Sequence, residues 1–350
     1  MLLFNKISQI KKKRGLAIPA LLFSIYGFAQ TTILGCRPPS QTEITITQND
    51  SFIYYTPRQY NTNSYIIRWD IISNKKDSFS FELAEIDGQY NYRLTDFSTN
   101  GKYFVLCYVD HVYLLFLDSD TLNFQSYKQL RNRAVEKSEV TERDVKIIST
   151  STVKSETDKK LTIYTLNLEP LSEVKLTGSS LFLSHLSPSH YFSFNNNALM
   201  WVDPLGYKVY RRQDSLEFAN EYDVNNVFCP PTKNTLKLLK WQSNIEGKLS
   251  VIMTELDSLK FDFIEELHLI NDSSYIIIYS QKGSGMAVEK PWVRNILYFD
   301  GANLIKTEQL NSRIINVLDI TFFIFNENIY CLTDIEGVLQ IRSLKDVILK

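Results

Sequence analysis

The chain has 350 residues, of which 44% are hydrophobic, 13% aromatic and 22% charged, enough apolar material for a sizeable core and too much for a disordered protein. Its formal net charge is −1, and the five cations Lys6, Lys11, Lys12, Lys13 and Arg14 meet no acid within residues 1–35, so residues 36–350 carry −6. A mildly acidic body lacks the basic surface by which proteins hold nucleic acid, and no nucleic-acid partner is expected.

Those cations precede an apolar stretch, the order of parts in a secretory signal peptide. The stretch admits three readings. "ILGC", Ile33 to Cys36, resembles the lipobox of bacterial lipoproteins. That resemblance implies a signal peptide over 1–35, lipidation of Cys36, a tether over 36–42 stiffened by Pro38 and Pro39, and a place in the cell envelope on the periplasmic or surface face of a membrane. Leu34 is bulkier than the usual occupant of its place. In the second reading Gly27 and Ala29 form a small-x-small site, and a cut after Ala29 releases a soluble secreted or periplasmic protein. The third keeps residues 15–35 as an uncleaved anchor; about 20 residues suffice to span a bilayer, but Pro19, Gln30, Thr31 and Thr32 interrupt this one. The lipoprotein form is the expectation carried forward.

Beyond Cys36 only Cys107, Cys229 and Cys331 remain, an odd set without the close pairs of a disulfide framework or a zinc site. Cys107 in "VLCYV" and Cys331 in "NIYCL" sit in apolar runs, where a thiol is a small core residue.

From residue 43 to 350 helical periodicity is scarce, and short runs of β-branched and aromatic residues alternate with Asn, Asp, Ser and Gly. The clearest unit runs from Arg93 to Leu130, with four strands, a turn at Asn100 and Gly101, and a two-residue turn at Asp110 and His111. Four antiparallel strands make one blade of a β-propeller. The end of its third strand recurs at Asp70, Asp118, Asn167, Asp203, Asp257, Asp300 and Ser343, at spacings of 36 to 54 residues. These ends predict an all-β fold, a single β-propeller of seven four-stranded blades. Six or eight blades stay open, because Arg131–Arg143 reads as too charged for an inner strand and residues 311–320 fit no slot. Runs such as "YFVLCYV" are continuously apolar, as strands covered on both faces should be, whereas a sandwich with one wet face would alternate. "EITITQ" reads as the innermost strand of blade one and "VILK" as a short outer strand of blade seven, with no secure strand exchange between the chain ends. With only 12 glycines, Asn, Asp and Ser must make most turns. "FSTNGKYFV" and "LSPSHYFSF" resemble the Ser-Pro-Asp-Gly-Lys turn of TolB-like and WD-repeat propellers. Leader and repeats together resemble uncharacterised secreted propeller lipoproteins of the Bacteroidetes.

The loops joining second and third strands share one face, and four of them read as long: 56–64, 154–160, 242–248 and 281–292. The last holds Lys282, Met286, Glu289, Lys290 and Trp292, a composition common in binding surfaces, and Arg58 and Tyr60 of the first loop lie within reach across one blade. Trp292 reads equally well as an inward-packed strand residue.

Catalytic motifs are absent: there is no Gly-x-Ser-x-Gly elbow, no sialidase box and no phosphate-cradling loop with a following Lys-Ser/Thr. His111, His185, His190 and His268 are not spaced as ligands, so neither metal nor cofactor is expected. The leading expectation is an envelope lipoprotein whose propeller is a binding or scaffold platform for a protein, peptide or glycan. The alternative is a propeller glycoside hydrolase or polysaccharide lyase with carboxylates lining the channel, since such enzymes assemble their sites from separate blades.

Overall fold

The computed structural model describes residues 32–33, 44–48, 52–57, 63–70, 73, 75–82, 94–108, 111–117, 124–131, 135–153, 156–178, 191–195, 198–213, 220–237, 261–271, 273–283, 293–310, 321–325, 328–335 and 338–346. They form six antiparallel four-stranded sheets. A two-residue strand, β1 (Thr32–Ile33), comes first. Blade one contains β2 (Ile44–Gln48), β3 (Ile53–Pro57), β4 (Asn63–Asp70) and β5 (Lys75–Glu82). Blade two contains β6 (Leu94–Thr99), β7 (Tyr103–Tyr108), β8 (His111–Leu117) and β9 (Phe124–Arg131). Blade three contains β10 (Val135–Val140), β11 (Asp144–Val153), β12 (Glu156–Thr165) and β13 (Pro170–Lys175). Blade four contains β14 (Phe192–Asn195), β15 (Ala198–Asp203), β16 (Lys208–Gln213) and β17 (Asn220–Asp223). Blade five contains β18 (Phe263–Leu269), β19 (Ser274–Ser280), β20 (Arg294–Asp300) and β21 (Asn303–Gln309). Blade six contains β22 (Thr321–Phe325), β23 (Asn328–Ile335) and β24 (Val338–Ser343), and β1 pairs with β24 as its fourth strand.

The ring is read from its seams. Inner strands β2 and β6, β6 and β10, β14 and β18, β18 and β22, and β22 and β2 lie against one another. Apolar clusters fill the spaces between blades: Tyr54 and Ile66 with Phe104 and Leu106, Val105 and Val112 with Val145 and Ile147, Ile148 and Leu161 with Leu199 and Trp201. The same holds for Val202 with Leu267, Ile276 and Ile296 with Phe322, and Phe323 and Ile341 with Ile53 and Trp69. Because each middle strand is covered by two neighbouring blades, its centre is apolar; all six residues of β15 are buried, five of them apolar and the last Asp203. The outer strands β13, β17 and β21 are mostly exposed, with Leu171 at 62%, Leu304 at 41% and Ile305 at 66%.

The described residues form six blades, not the seven expected. Asp203 ends β15, which is a second strand, while Asp257 lies outside the described residues. The Leu-Asp pattern misleads because the aspartate marks turn chemistry and not a slot. Asp70, after a third strand, accepts the Ser73 N–H at 3.1 Å, and Asp203, after a second strand, accepts the Gly206 N–H at 2.9 Å. Position 206 also favours glycine, since an added Cβ would lie 2.3 Å from Asp203 Oδ2 and force the carboxylate to move.

Three further expectations change. The charged segment 131–143 contains the inner strand β10, whose charges are paired inside the protein. The loop read at 154–160 shrinks to residues 154–155, because Glu156–Lys160 belong to β12. The outer strand of the last blade comes from the N-terminal side, with Thr32 opposite Ile341 and Ile33 opposite Gln340, whereas 347–350 lie outside the described residues. The turn chemistry holds as expected: Asn100 Oδ1 accepts from Lys102 and Tyr103 N–H beside Gly101 at φ 92, and Asn271 Oδ1 does the same for Ser273 and Ser274. Cys107 and Cys331 are fully buried, and burial pushes the Cys107 thiol far up, out of reach of thiolate chemistry.

Candidate binding face

Every inner strand runs from one rim of the ring, here called upper, to the other. Connections between second and third strands, and crossovers from one blade's outer strand to the next blade's inner strand, therefore share the upper rim. Lys282 follows β19 there, exposed, and Pro57 ends β3 at the same rim one blade beyond blade six. Of the residues expected to form the face, Arg58, Tyr60, Met286, Glu289 and Trp292 lie outside the described residues, as does Cys36.

What the structure adds is the footing of this face, built on Asp262, a residue that sequence reading passed over. Asp262 immediately precedes β18 and is buried. Its Oδ1 accepts the Lys282 N–H at 2.6 Å and its Oδ2 the Cys229 N–H at 2.7 Å, while its own N–H donates to the Cys229 carbonyl at 2.9 Å. One carboxylate thus joins the 281–293 connection, the crossover from blade four and the start of blade five. Hydrogen bonds from backbone N–H groups are charge-assisted and offset the loss of water around it. Tyr207, in the β15–β16 turn, donates its hydroxyl to the Asp262 carbonyl at 2.5 Å and to the Cys229 carbonyl at 3.2 Å. Its ring stacks on Phe228, centroids 4.8 Å apart, and Phe228 meets Tyr279 edge-on at 5.1 Å. Burial first, and the Asp262 charge second, push the Tyr207 hydroxyl far above its ordinary pKa, so it acts as a fixed donor and not as an acid. Tyr207 holds φ 50, a left-handed conformation uncommon for a bulky residue, which this set of contacts keeps in place. The one sequence signal was an acid enclosed by aromatics, Phe261-Asp262-Phe263.

Carboxylates also stand near the upper ends of three inner strands, each beside a β-bulge: Asp96 in β6, Glu136 in β10, and Glu265 and Glu266 in β18. Each is engaged. Asp96 Oδ2 accepts from the Ser138 N–H at 2.6 Å and its hydroxyl at 2.8 Å, and Lys137 Nζ approaches Oδ1 at 3.4 Å. Glu136 accepts from Lys159 Nζ and Thr150 Oγ1. Glu265 pairs with Arg294 and Ser280, and Glu266 reaches Arg294 at 3.3 Å and His268 Nε2 at 2.9 Å. Arg294 also lies over the Phe322 ring, 5.8 Å from its centroid, bridging blades five and six. A glycosidase needs one protonated and one ionised carboxyl facing a sugar across a cleft, and these acids are instead tied to cations and hydroxyls within blades and seams. Of the histidines, His111 begins β8 and stacks on Tyr113, His268 lies in β18, and no three potential ligands cluster among the described residues.

A crystal structure of a member of the DUF4221 family from Bacteroides vulgatus superposes with a TM-score of 0.58 at 9% identity, covering 90% of this chain and 95% of that one. U3-55K gives 0.46 at 9% identity over 87% of this chain and 78% of its own. The β-propeller domain of the Trilobed protease from Pyrococcus furiosus gives 0.41 at 11% identity over 87% and 83%. No family model and no curated protein matches the sequence. The first superposition supports the β-propeller fold, and at this identity it bears on the fold alone.

Proposed function

We propose that the chain is an exported β-propeller of the bacterial cell envelope that serves as a rigid binding or scaffold platform, with its upper face, around the 281–293 connection, meeting a protein, peptide or glycan partner. The observation that carries this reading is the Asp262 junction. It fixes both Lys282, the second residue of the longest second-to-third-strand connection, and the neighbouring crossover to one buried carboxylate. Loops held at their feet by a rigid scaffold present side chains at low entropic cost, which is how platforms gain affinity. The leader admits an anchored form lipidated at Cys36 and a form released after Ala29, and both carry the same face.

A photo-crosslinking residue at Lys282, compared with one at Ser273 on the lower rim, tests the assignment in envelope extracts and on glycan arrays. Adducts concentrated at Lys282 are expected. Equal or stronger capture from Ser273 would remove the upper face from consideration.

A further inference from the structure

We propose that the mature chain keeps Thr32 and Ile33 as its ring-closing strand, so that the leader is cut after Ala29 and Cys36 becomes an internal residue instead of a lipidated N-terminus. Five blades take all four strands from continuous sequence, but blade six takes three, β22, β23 and β24, and obtains its fourth from β1. The pairing is antiparallel, Thr32 with Ile341 and Ile33 with Gln340. β1 also occupies the right place in the cycle. Each outer strand precedes the next blade's inner strand, as β5 precedes β6 and β9 precedes β10, and β1 in the same way precedes β2.

Cleavage before Cys36 removes β1 together with the leader and leaves the outward edge of β24 unpaired at residues 340–341. An open edge of this kind invites pairing with other chains, and propellers close to avoid it. Cleavage after Ala29 keeps the strand and leaves Gln30 and Thr31 ahead of it. The sequence supplies that site, with Gly27 and Ala29 at small-x-small spacing, and it puts the bulky Leu34 inside the competing lipobox. Ile33 would then serve as a strand residue, and its resemblance to the branched first position of a lipobox follows from β-strand composition.

The inference concerns processing and ring closure, so it stands or falls separately from the binding platform. The test uses the full chain with its own leader, exported from a bacterial host, and a second form carrying Ile33→Cys and Gln340→Cys. Intact-mass analysis should find an unacylated chain beginning at Gln30, and non-reducing peptide mapping should find a 33–340 disulfide in the double variant. An acylated chain beginning at Cys36 would overturn the proposal outright, because residue 33 would be gone. A chain beginning at Gln30 whose two introduced thiols stay unlinked would overturn the ring-closing role.

Discussion

Blades three and four are neighbours that hold their middles together by opposite means. In blade three the inner strand β10 carries Glu136, Lys137 and Glu139, and the blade buries Lys159 against Glu136 and Lys146 against Glu139, the latter pair 3.0 Å apart. In blade four the second strand is apolar up to its closing Asp203, Trp201 stacks on Tyr210 with centroids 5.3 Å apart, and its indole N–H donates to the Thr177 carbonyl at 2.7 Å. Neighbouring blades of the same fold thus accept either paired charge or stacked rings at their middles. Charge pairs are fragile to the loss of one partner, since the survivor stays buried and uncompensated. Aromatic stacks are fragile to loss of volume.

The sharpest way to test that contrast is Lys159→Met, which should cost about 3–5 kcal/mol in urea unfolding by stranding Glu136. Adding Glu136→Leu should restore most of the loss; absence of recovery would mean that packing, and not charge, governs blade three. Trp201→Phe in blade four should cost about 2 kcal/mol, from lost volume and a lost hydrogen bond, and no second substitution should recover it. Asp262→Asn, at the junction of blades four and five, should cost about 1–3 kcal/mol, because an amide can accept with only one of its two polar atoms. Hydrogen exchange at Lys282 and Cys229 should accelerate, and unchanged protection there would detach the carboxylate from the loop's footing.

Alkali gives the smallest and most selective effect. Burial raises the hydroxyls of Tyr191 and Tyr207 above the ordinary value of 10.0, while Lys159 is lowered from 10.5 by burial, an effect the nearby Glu136 partly opposes. For the tyrosines the stabilising contribution is fully present below pH 10.0 and is lost as pH rises through their folded values. Lys159 has the other sign. Its folded form releases its proton before the unfolded form does, so its cost declines as pH approaches 10.5. Phenolate absorbance from the buried tyrosines should therefore appear together with unfolding and not near pH 10. The stability of the native chain relative to the Lys159→Met/Glu136→Leu pair should rise over the alkaline range below 10.5.

The class of fold was legible because covered strands are apolar and turns recur: "YFVLCY" is buried from its second residue to its last, and "EITITQ" opens blade one as read. The blade count was not, because an aspartate ends Asp70's strand and Asp203's strand by the same hydrogen bond although the two strands hold different slots. "VEKSEV" was illegible as an inner strand for a related reason. Its charges find partners at Asp96, Lys146 and Lys159, 41, 7 and 23 positions away, which strand pairing and the seam to blade two bring close and which the segment itself does not contain. Of the candidate face, the sequence displayed the long connection and Lys282 but not Asp262, whose three partners come from separate blades and crossovers.

The exposed strand β21 has a consequence for the molecule in crowded solution. Leu304 and Ile305 are consecutive on the outermost strand of blade five, beyond which no further strand pairs among the described residues. Two adjacent aliphatics on an open edge are a template for growth. Lys306 and Glu308, ion-paired further along the same strand, are the charges that strand sets against such growth. Removal of Lys306 should therefore raise self-association of the protein at high concentration.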